Sequence, residues 1–377
     1  MYNGEENKIV SNVAQRGIGM SVFSHPEFHQ HEQVSFFQCE KTGLKAIIAV
    51  HNTHLGPALG GCRMWAYDSD EQALRDVLRL SRGMTYKAAI TGLPLGGGKS
   101  VIIGDAKKAK SADLMRAMGR AVESFGGRYI VAEDVGTTVE DMNNINTQTK
   151  HVVGVSHDGE GSGDPSPTTA LGVYTGLKTA VRYRLHRSDM RGLKVAVQGL
   201  GNVGYNLCKL LAKDGAQLFV TDVQQEKIAQ AMKEFGAKSV ALNDIYSQDV
   251  DVFAPCALGA ILNDGTIKQL KAKVVAGAAN NQLAEARHGD MLRDLKVLYA
   301  PDYLINAGGL ISVYYEHAAK TTGKAYDRAH VVAHVQRIDE TAESIFRRAE
   351  QDGISTSAAA DRIAEQRFMS PAACKAA

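Results

Sequence analysis

Apolar and polar positions along the chain fall into two successive blocks of strands and helices. In the first, residues 33–38 and 44–51 are β-branched and aromatic runs separated by the turn Lys41-Thr42-Gly43, and they predict two strands. The second run leads into residues 55–64, read as a glycine-rich loop with one exposed apolar residue, Leu59. Ser69 and Gln72 stand at capping-box spacing, and Leu74, Val77, Leu78 and Ser81 mark one face of a helix that continues to about residue 89. A glycine stretch, 92–98, then turns the chain into a buried strand at 101–103. A helix over 111–125 follows. The strand from 128 ends in Glu133 and Asp134, at the edge where α/β proteins carry catalytic groups, although one of the two could simply cap the next helix.

Periodicity lapses over 154–167, where Gly, Pro and Ser dominate, and the domain boundary is placed near Thr168. The second block opens with a helix over 169–182. It then shows a strand at 193–198, the turn Gly199-Leu200-Gly201-Asn202-Val203-Gly204, a helix over 205–213, and a strand at 217–221 ending in Asp222. A bare GxGxxG is weak evidence, but strand, turn, helix, strand and acid in that order mark a dinucleotide site. Asp222 suits the ribose hydroxyls and would repel a 2′-phosphate. Val223, Gln224 and Gln225 supply no arginine to offset that repulsion, so NAD is expected over NADP. Further strands at 250–254, 274–276 and 298–300 bring Cys256, Ala257, Asn280 and Asn306 to the same edge. From Val331 the spacing predicts one long amphipathic helix that returns to the first domain.

The expected architecture is therefore α/β. An N-terminal α/β domain at 20–167 is joined by C-terminal helices from about 346–377, a Rossmann domain spans 168–345, and the active-site cleft lies between them. Residues 1–19 read as a polar leader. A formal net charge of +2 gives no reason to expect nucleic acid or a membrane surface as partner. No apolar run approaches the ~20 residues of a membrane span, and no signal peptide is visible. Five scattered cysteines without a CxxC pair read as reduced thiols of a cytoplasmic protein, and no metal-ligand spacing occurs.

Gly98-Lys99-Ser100 resembles a P-loop at first sight. That motif needs a glycine where Leu93 stands and a helix directly after the lysine, so a triphosphate site is rejected. What remains is a lysine beside a glycine-lined space, with Lys87 twelve residues earlier. Either lysine could instead be solvated.

Taken as a set, Gly-Pro-Ala-Leu-Gly-Gly (56–61), Met-Thr-Tyr-Lys (84–87), Gly-Gly-Gly-Lys (96–99), Ala-Glu-Asp-Val-Gly-Thr-Thr (132–138), the 199–204 turn and Asn-Ala-Gly-Gly (306–309) are highly specific. They resemble the leucine/phenylalanine/valine branch of the amino acid dehydrogenase superfamily that includes glutamate dehydrogenase. The resemblance covers most of the chain from Met20. It implies NAD-dependent, reversible oxidative deamination of an L-amino acid to the 2-oxo acid and ammonia, in a homo-oligomer. Lys87 would bind the α-carboxylate, Lys99 would be the catalytic lysine with Asp134 as its acid/base partner, and Asn280 would help place substrate and cofactor. Gly60 and Met84 fall on the substrate side and Thr169 on the cofactor side. Lys99, beside Lys87 in a closed cleft, is expected to have its pKa lowered by like charge and desolvation.

In the glutamate enzymes a lysine and a serine read the side-chain carboxylate. Leu59 and Val313 stand at those places here, so an unpaired carboxylate would be desolvated without compensation and the substrate should be apolar. Ala132 is similar to the leucine-enzyme pattern and Leu310 to the phenylalanine-enzyme pattern. Leucine and related branched-chain substrates are favoured, with an aromatic amino acid as the alternative. A non-catalytic NAD-binding regulator is disfavoured by Lys87, Lys99 and Asp134 occurring together. A 2-hydroxy acid dehydrogenase is disfavoured by the lack of a histidine–carboxylate pair at a strand end.

Overall fold

The computed structural model describes residues 22–155, 164–323 and 325–370; the expected leader lies outside them. Two sheets organise these residues. The first contains β1 (Gln33–Cys39), β2 (Leu44–Asn52), β3 (Ala58–Trp65), β4 (Gly96–Ile103) and β5 (Tyr129–Glu133), in the order β1-β2-β4-β3-β5. β1, β2 and β4 run antiparallel to their neighbours in turn, whereas β3 is parallel to both β4 and β5. Helix α1 (Asp70–Ile90) links β3 to β4, and α2 (Ala112–Glu123) links β4 to β5. Ser69 caps α1 by accepting from the Gln72 N–H, and Leu74, Val77, Leu78 and Ser81 are buried. Helix α3 (Val139–Asn146) is capped by Thr138 with Asp141 in a capping box. Neither Glu133 nor Asp134 is used as a cap.

Two expectations change here. Residues 58–65 form a strand, not a loop, because Gly60 and Gly61 let neighbouring strands close on both sides. A Cβ at Gly60 would lie 1.7 Å from the Gly98 carbonyl oxygen. Leu59 is accordingly buried, at 2% exposure. The triple glycine likewise lies within central strand β4 and opens no cavity. A Cβ at Gly97 would meet the Thr85 nitrogen of α1 at 2.0 Å, and one at Gly98 would meet the Tyr129 ring at 2.7 Å. These glycines are sites of close packing.

Helix α4 (Ser166–Leu185) leads to the second sheet: β6 (Lys194–Gln198), β7 (Gln217–Thr221), β8 (Lys238–Ser239), β9 (Val252–Pro255), β10 (Val274–Val275) and β11 (Leu298–Tyr299). The order β11-β10-β9-β6-β7-β8 is fully parallel. Counted from β6, it is the doubly wound 3-2-1-4-5-6 arrangement, with its switch point between β6 and β9. Its helices are α5 (Asn202–Lys213), α6 (Gln225–Phe235) and α7 (Arg287–Asp294). After β11 come α8 (Asp302–Ile305), α9 (Gly308–Thr322), α10 (Arg328–Gln336), α11 (Ile338–Asp352) and α12 (Thr356–Phe368).

The single long helix expected from Val331 is two helices. The chain tightens at Arg337, whose N–H donates to the His334 carbonyl at 3.0 Å. The turn brings Ile338 against α4 where Gly172 leaves space: a Cβ there would stand 3.1 Å from Ile338 Cδ1. Phe346 lies inside α11 and packs with Tyr183 of α4. The helix that rests on α1 is α12, where Tyr86 donates to Glu365 at 2.6 Å and Arg367 donates to the carbonyls of Ala89 and Ile90. One apolar cluster runs through both sheets and includes Leu59, Ile130, Val195 and Leu200.

Candidate active site

Strand ends from both sheets meet across the cleft. Lys99 projects from β4 and is 7% exposed, and its Nζ lies 2.6 Å from Asp134 Oδ2 just beyond β5. Space for this pair comes from Gly61, where a Cβ would stand 2.7 Å from Asp134 Cβ and 3.2 Å from Lys99 Nζ. Burial would raise the Asp134 carboxyl, but Lys99 and Arg63 overcome it and hold the group below the usual carboxylate range. Glu133, on the exposed side and with no ion pair among the described residues, is pushed up by partial burial of its carboxyl and by Asp141. The two members of the acidic pair thus have opposite environments.

Lys87 stands in the last turn of α1, partly exposed to the cleft. Burial, opposed by Asp302 and assisted by Lys99, brings its pKa down to about 8. Lys99 carries the direct ion pair to Asp134. Asp302 was not anticipated. It opens α8, is 8% exposed, and its Oδ2 accepts the Gln282 N–H at 2.7 Å; burial raises its pKa. The signal was an acid directly after a strand end, the same cue that selected Asp134. Arg63 was also missed. It is the one charged residue of β3, whose other members are glycines, buried apolar residues and the exposed Trp65, and its Nε donates to Asp134 Oδ2 at 3.2 Å.

Leu59, Met84, Ala132, Leu310 and Val313 all belong to the cluster that spans the cleft, Leu59 fully buried and the others half-buried. They come from strands β3 and β5 of the first sheet and from helices α1 and α9, so the apolar wall joins the first sheet to a helix that follows the second. Gly60 contributes backbone only, and its carbonyl accepts from the Tyr129 hydroxyl at 2.9 Å.

At the switch point the glycine turn has the form a dinucleotide needs. Gly199 has φ +98°, and a Cβ there would strike Ala257 Cβ at 2.7 Å. Gly204 packs α5 onto the turn, since a Cβ would lie 2.1 Å from the Gly199 carbonyl oxygen. Above Gly201 there is open space. Gly201 also caps α5 without a side-chain hydrogen bond, so Asn202 and Val203 open a helix whose first N–H groups would suit an anion. Asp222 accepts from the N–H groups of Leu200 (2.6 Å) and Gln224 (2.8 Å), and each oxygen retains a lone pair for a ribose hydroxyl. Asn306 donates to Asn280 Oδ1 at 2.9 Å and to the Ala278 carbonyl at 3.1 Å. Its own Oδ1 is buried without a partner among the described residues, which suits an amide donor of the cofactor. Cys256 is half-buried, its thiol pushed up to about 12 by burial and so inert. Thr169, at the start of α4, donates to the Pro165 carbonyl at 3.0 Å and lies beside Gly309. Among the described residues no group of three His, Cys, Asp or Glu is placed to hold a metal ion, and no helix is long and apolar enough to cross a membrane.

A doubly wound sheet with a glycine turn at its switch point, together with a buried lysine–carboxylate pair on the other sheet, defines a dinucleotide-dependent dehydrogenase. Family profiles sharpen that class. Residues 31–151 match the Glu/Leu/Phe/Val dehydrogenase dimerisation domain, and residues 161–225 and 218–372 match the glutamate/leucine/phenylalanine/valine dehydrogenase profile. The chain is 53% identical to the leucine dehydrogenase of Geobacillus stearothermophilus over 349 residues, covering 93% of this chain and 94% of that one. It is 46% identical to the phenylalanine dehydrogenase of Bacillus thermotolerans over 363 residues, 95% of this chain and 94% of that one. The crystal structure of L-tryptophan dehydrogenase from Nostoc punctiforme superposes with a TM-score of 0.80 at 48% identity, covering 90% and 96% of the two chains. The chain belongs to the Glu/Leu/Phe/Val dehydrogenase family of amino acid dehydrogenases.

Proposed function

We propose that this enzyme catalyses the reversible NAD-dependent oxidative deamination of L-leucine and related branched-chain amino acids to the 2-oxo acid and ammonia. The observation that carries the reading is the Lys99–Asp134 pair at 2.6 Å, with Lys87 near enough to interact electrostatically with both. When bound, the nicotinamide supplies the hydride acceptor. Lys87 takes the substrate carboxylate as counter-ion and orients the α-carbon. Lys99 activates the water that replaces the amine, and Asp134 accepts and returns the protons until ammonia leaves. The paired geometry keeps that proton exchange within one hydrogen bond. Asn280, held by Asn306, positions the polar end of substrate and cofactor.

NAD is favoured over NADP because Asp222 is followed by Val223, Gln224 and Gln225, with no arginine to receive a 2′-phosphate. Leu59 and Val313 reject a charged side chain, and Ala132 shortens the pocket towards leucine. The curated leucine dehydrogenase at 53% identity supports the same substrate. Leu310 is the feature that favours an aromatic amino acid instead. The matched dimerisation profile supports a homo-oligomer, and the described cysteines are free thiols, as in a cytoplasmic protein. The test is reduced-cofactor formation with L-leucine, L-valine, L-phenylalanine, L-tryptophan and L-glutamate, each with NAD and NADP. The highest kcat/KM is expected for leucine with NAD. Preference for phenylalanine or tryptophan would replace the aliphatic reading with the aromatic one, and glutamate turnover would refute the roles of Leu59 and Val313.

A further inference from the structure

Arg63 lies on β3 between Cys62 and Met64, both buried, and its side chain is 24% exposed. Its fork spans two carboxylates on different elements. Nε donates to Asp134 Oδ2 at 3.2 Å, and Nη1 donates to Asp76 Oδ2 on α1 at 2.8 Å. Asp76 Oδ2 also accepts from the Tyr67 hydroxyl at 2.6 Å. The Asp134 oxygen that Arg63 reaches is the one that meets Lys99 Nζ at 2.6 Å. A single carboxylate oxygen therefore sits between two cations of different kinds. Lysine can give up a proton in a reaction cycle, whereas a guanidinium remains charged throughout.

We infer that Arg63 is a positioning residue for the reaction: it holds the Asp134 carboxylate in line with Lys99 and keeps it ionised, while Asp76 and Tyr67 fix the guanidinium from behind. This rests on the proposed proton exchange at Asp134. The charged groups facing that carboxylate are Lys99 from β4, Arg63 from β3 and Lys87 from α1, with Cys62 of β3 and Tyr129 of β5 as titratable neighbours. Burial pushes Asp134 up and the cations pull it down, so loss of Arg63 removes one of the two strongest opposing charges. The carboxyl pKa then rises, and a step that needs the ionised form loses activity first on the acid side.

The experiment compares kcat across pH for wild type, Arg63→Met, Arg63→Lys, Asp134→Asn and the double variant Arg63→Met/Asp76→Asn. The double variant leaves no unpaired Asp76 and carries the measurement should Arg63→Met not fold; thermal melting and NADH binding establish folding. With Arg63→Met the acid limb of kcat is expected to move up by about one pH unit, a tenfold loss below the limb. The KM for the 2-oxo acid should change little. Arg63→Lys should restore the limb through its charge while recovering only part of kcat, since it lacks the fork. A kcat lowered equally at every pH with the limb unmoved, or Arg63→Lys indistinguishable from Arg63→Met, would overturn the inference. Wild-type turnover by Asp134→Asn would remove the proton-exchange reading itself, and the inference with it.

Discussion

Lys87 offers a measurement whose size follows from the structure. Its pKa is held near 8, so the ammonium that would meet a substrate carboxylate is present at neutral pH and lost as pH rises. A carboxylate that pairs only with the charged form should bind with an inhibition constant proportional to 1 + 10^(pH − 8). Between pH 7 and 10 that is a rise of about 90-fold, or roughly 2.7 kcal/mol at 1.36 kcal/mol per unit. The amino acid itself is a poor probe because its amine also titrates in this range. 4-Methylpentanoate, a leucine analogue without the amine, carries no group that titrates between pH 6 and 10. Its inhibition constant, measured with saturating NAD, isolates the lysine. Lys87→Arg, whose charge does not titrate below about pH 12, should bind the analogue more weakly but with no break near 8. Asp302→Asn removes the neighbouring negative charge that opposes burial, so the break should move below 8. An inhibition constant flat from pH 7 to 10, or a slope that persists in Lys87→Met, would refute the assignment of carboxylate binding to Lys87.

Other substitutions probe the rest of the cleft. Lys99→Ala should retain NADH binding by fluorescence titration and lose on the order of 10²- to 10⁴-fold in kcat, the range of general acid–base catalysis; normal turnover would sink its catalytic role. Gly61→Ala places a methyl 2.7 Å from Asp134 Cβ, 2.9 Å from the Glu133 carbonyl oxygen and 3.2 Å from Lys99 Nζ, so kcat should fall at least tenfold and the melting temperature should fall as well, as measured by parallel kinetics and thermal denaturation. Leu59→Lys buries an unpaired ammonium at a 2%-exposed position and should destabilise the protein by several kcal/mol in denaturant titrations. Adding Val313→Ser and glutarate should return part of that loss, because the ligand then supplies the missing carboxylate.

The chemistry was more legible in the sequence than the packing around it. Lys99, Asp134 and the 199–204 turn announce themselves because glycine spacing and strand-end acids are local signals. The strand at 58–65 was hidden, since a run containing Gly60 and Gly61 scores as loop until the carbonyl of Gly98 is seen to need the space. Arg63 and Asp302 went unread for a related reason: their partners are Asp134, 71 residues away, and Lys87, 215 residues away, and no spacing rule connects such positions. The division at Arg337 is set by where Ile338 must land on α4, a tertiary demand that the apolar periodicity alone does not carry.

The contact between Gly97 and Thr85 has a consequence for substrate choice. Helix α1 and strand β4 touch backbone to backbone there, leaving no room for a side chain between them. Lys87, two residues beyond Thr85, and Lys99, two beyond Gly97, are thus carried on one stiff block. With the proposed roles of Lys87 and Lys99, that block fixes the spacing between the group that would hold the carboxylate and the group that would act at the reacting carbon, and the pair would act as a ruler. A β-amino acid is longer by one carbon–carbon bond, about 1.5 Å, and would set its amine-bearing carbon past Lys99. β-Leucine should therefore occupy the site as an inhibitor and fail as a substrate, with selectivity for α-amino acids built into the core of the first sheet.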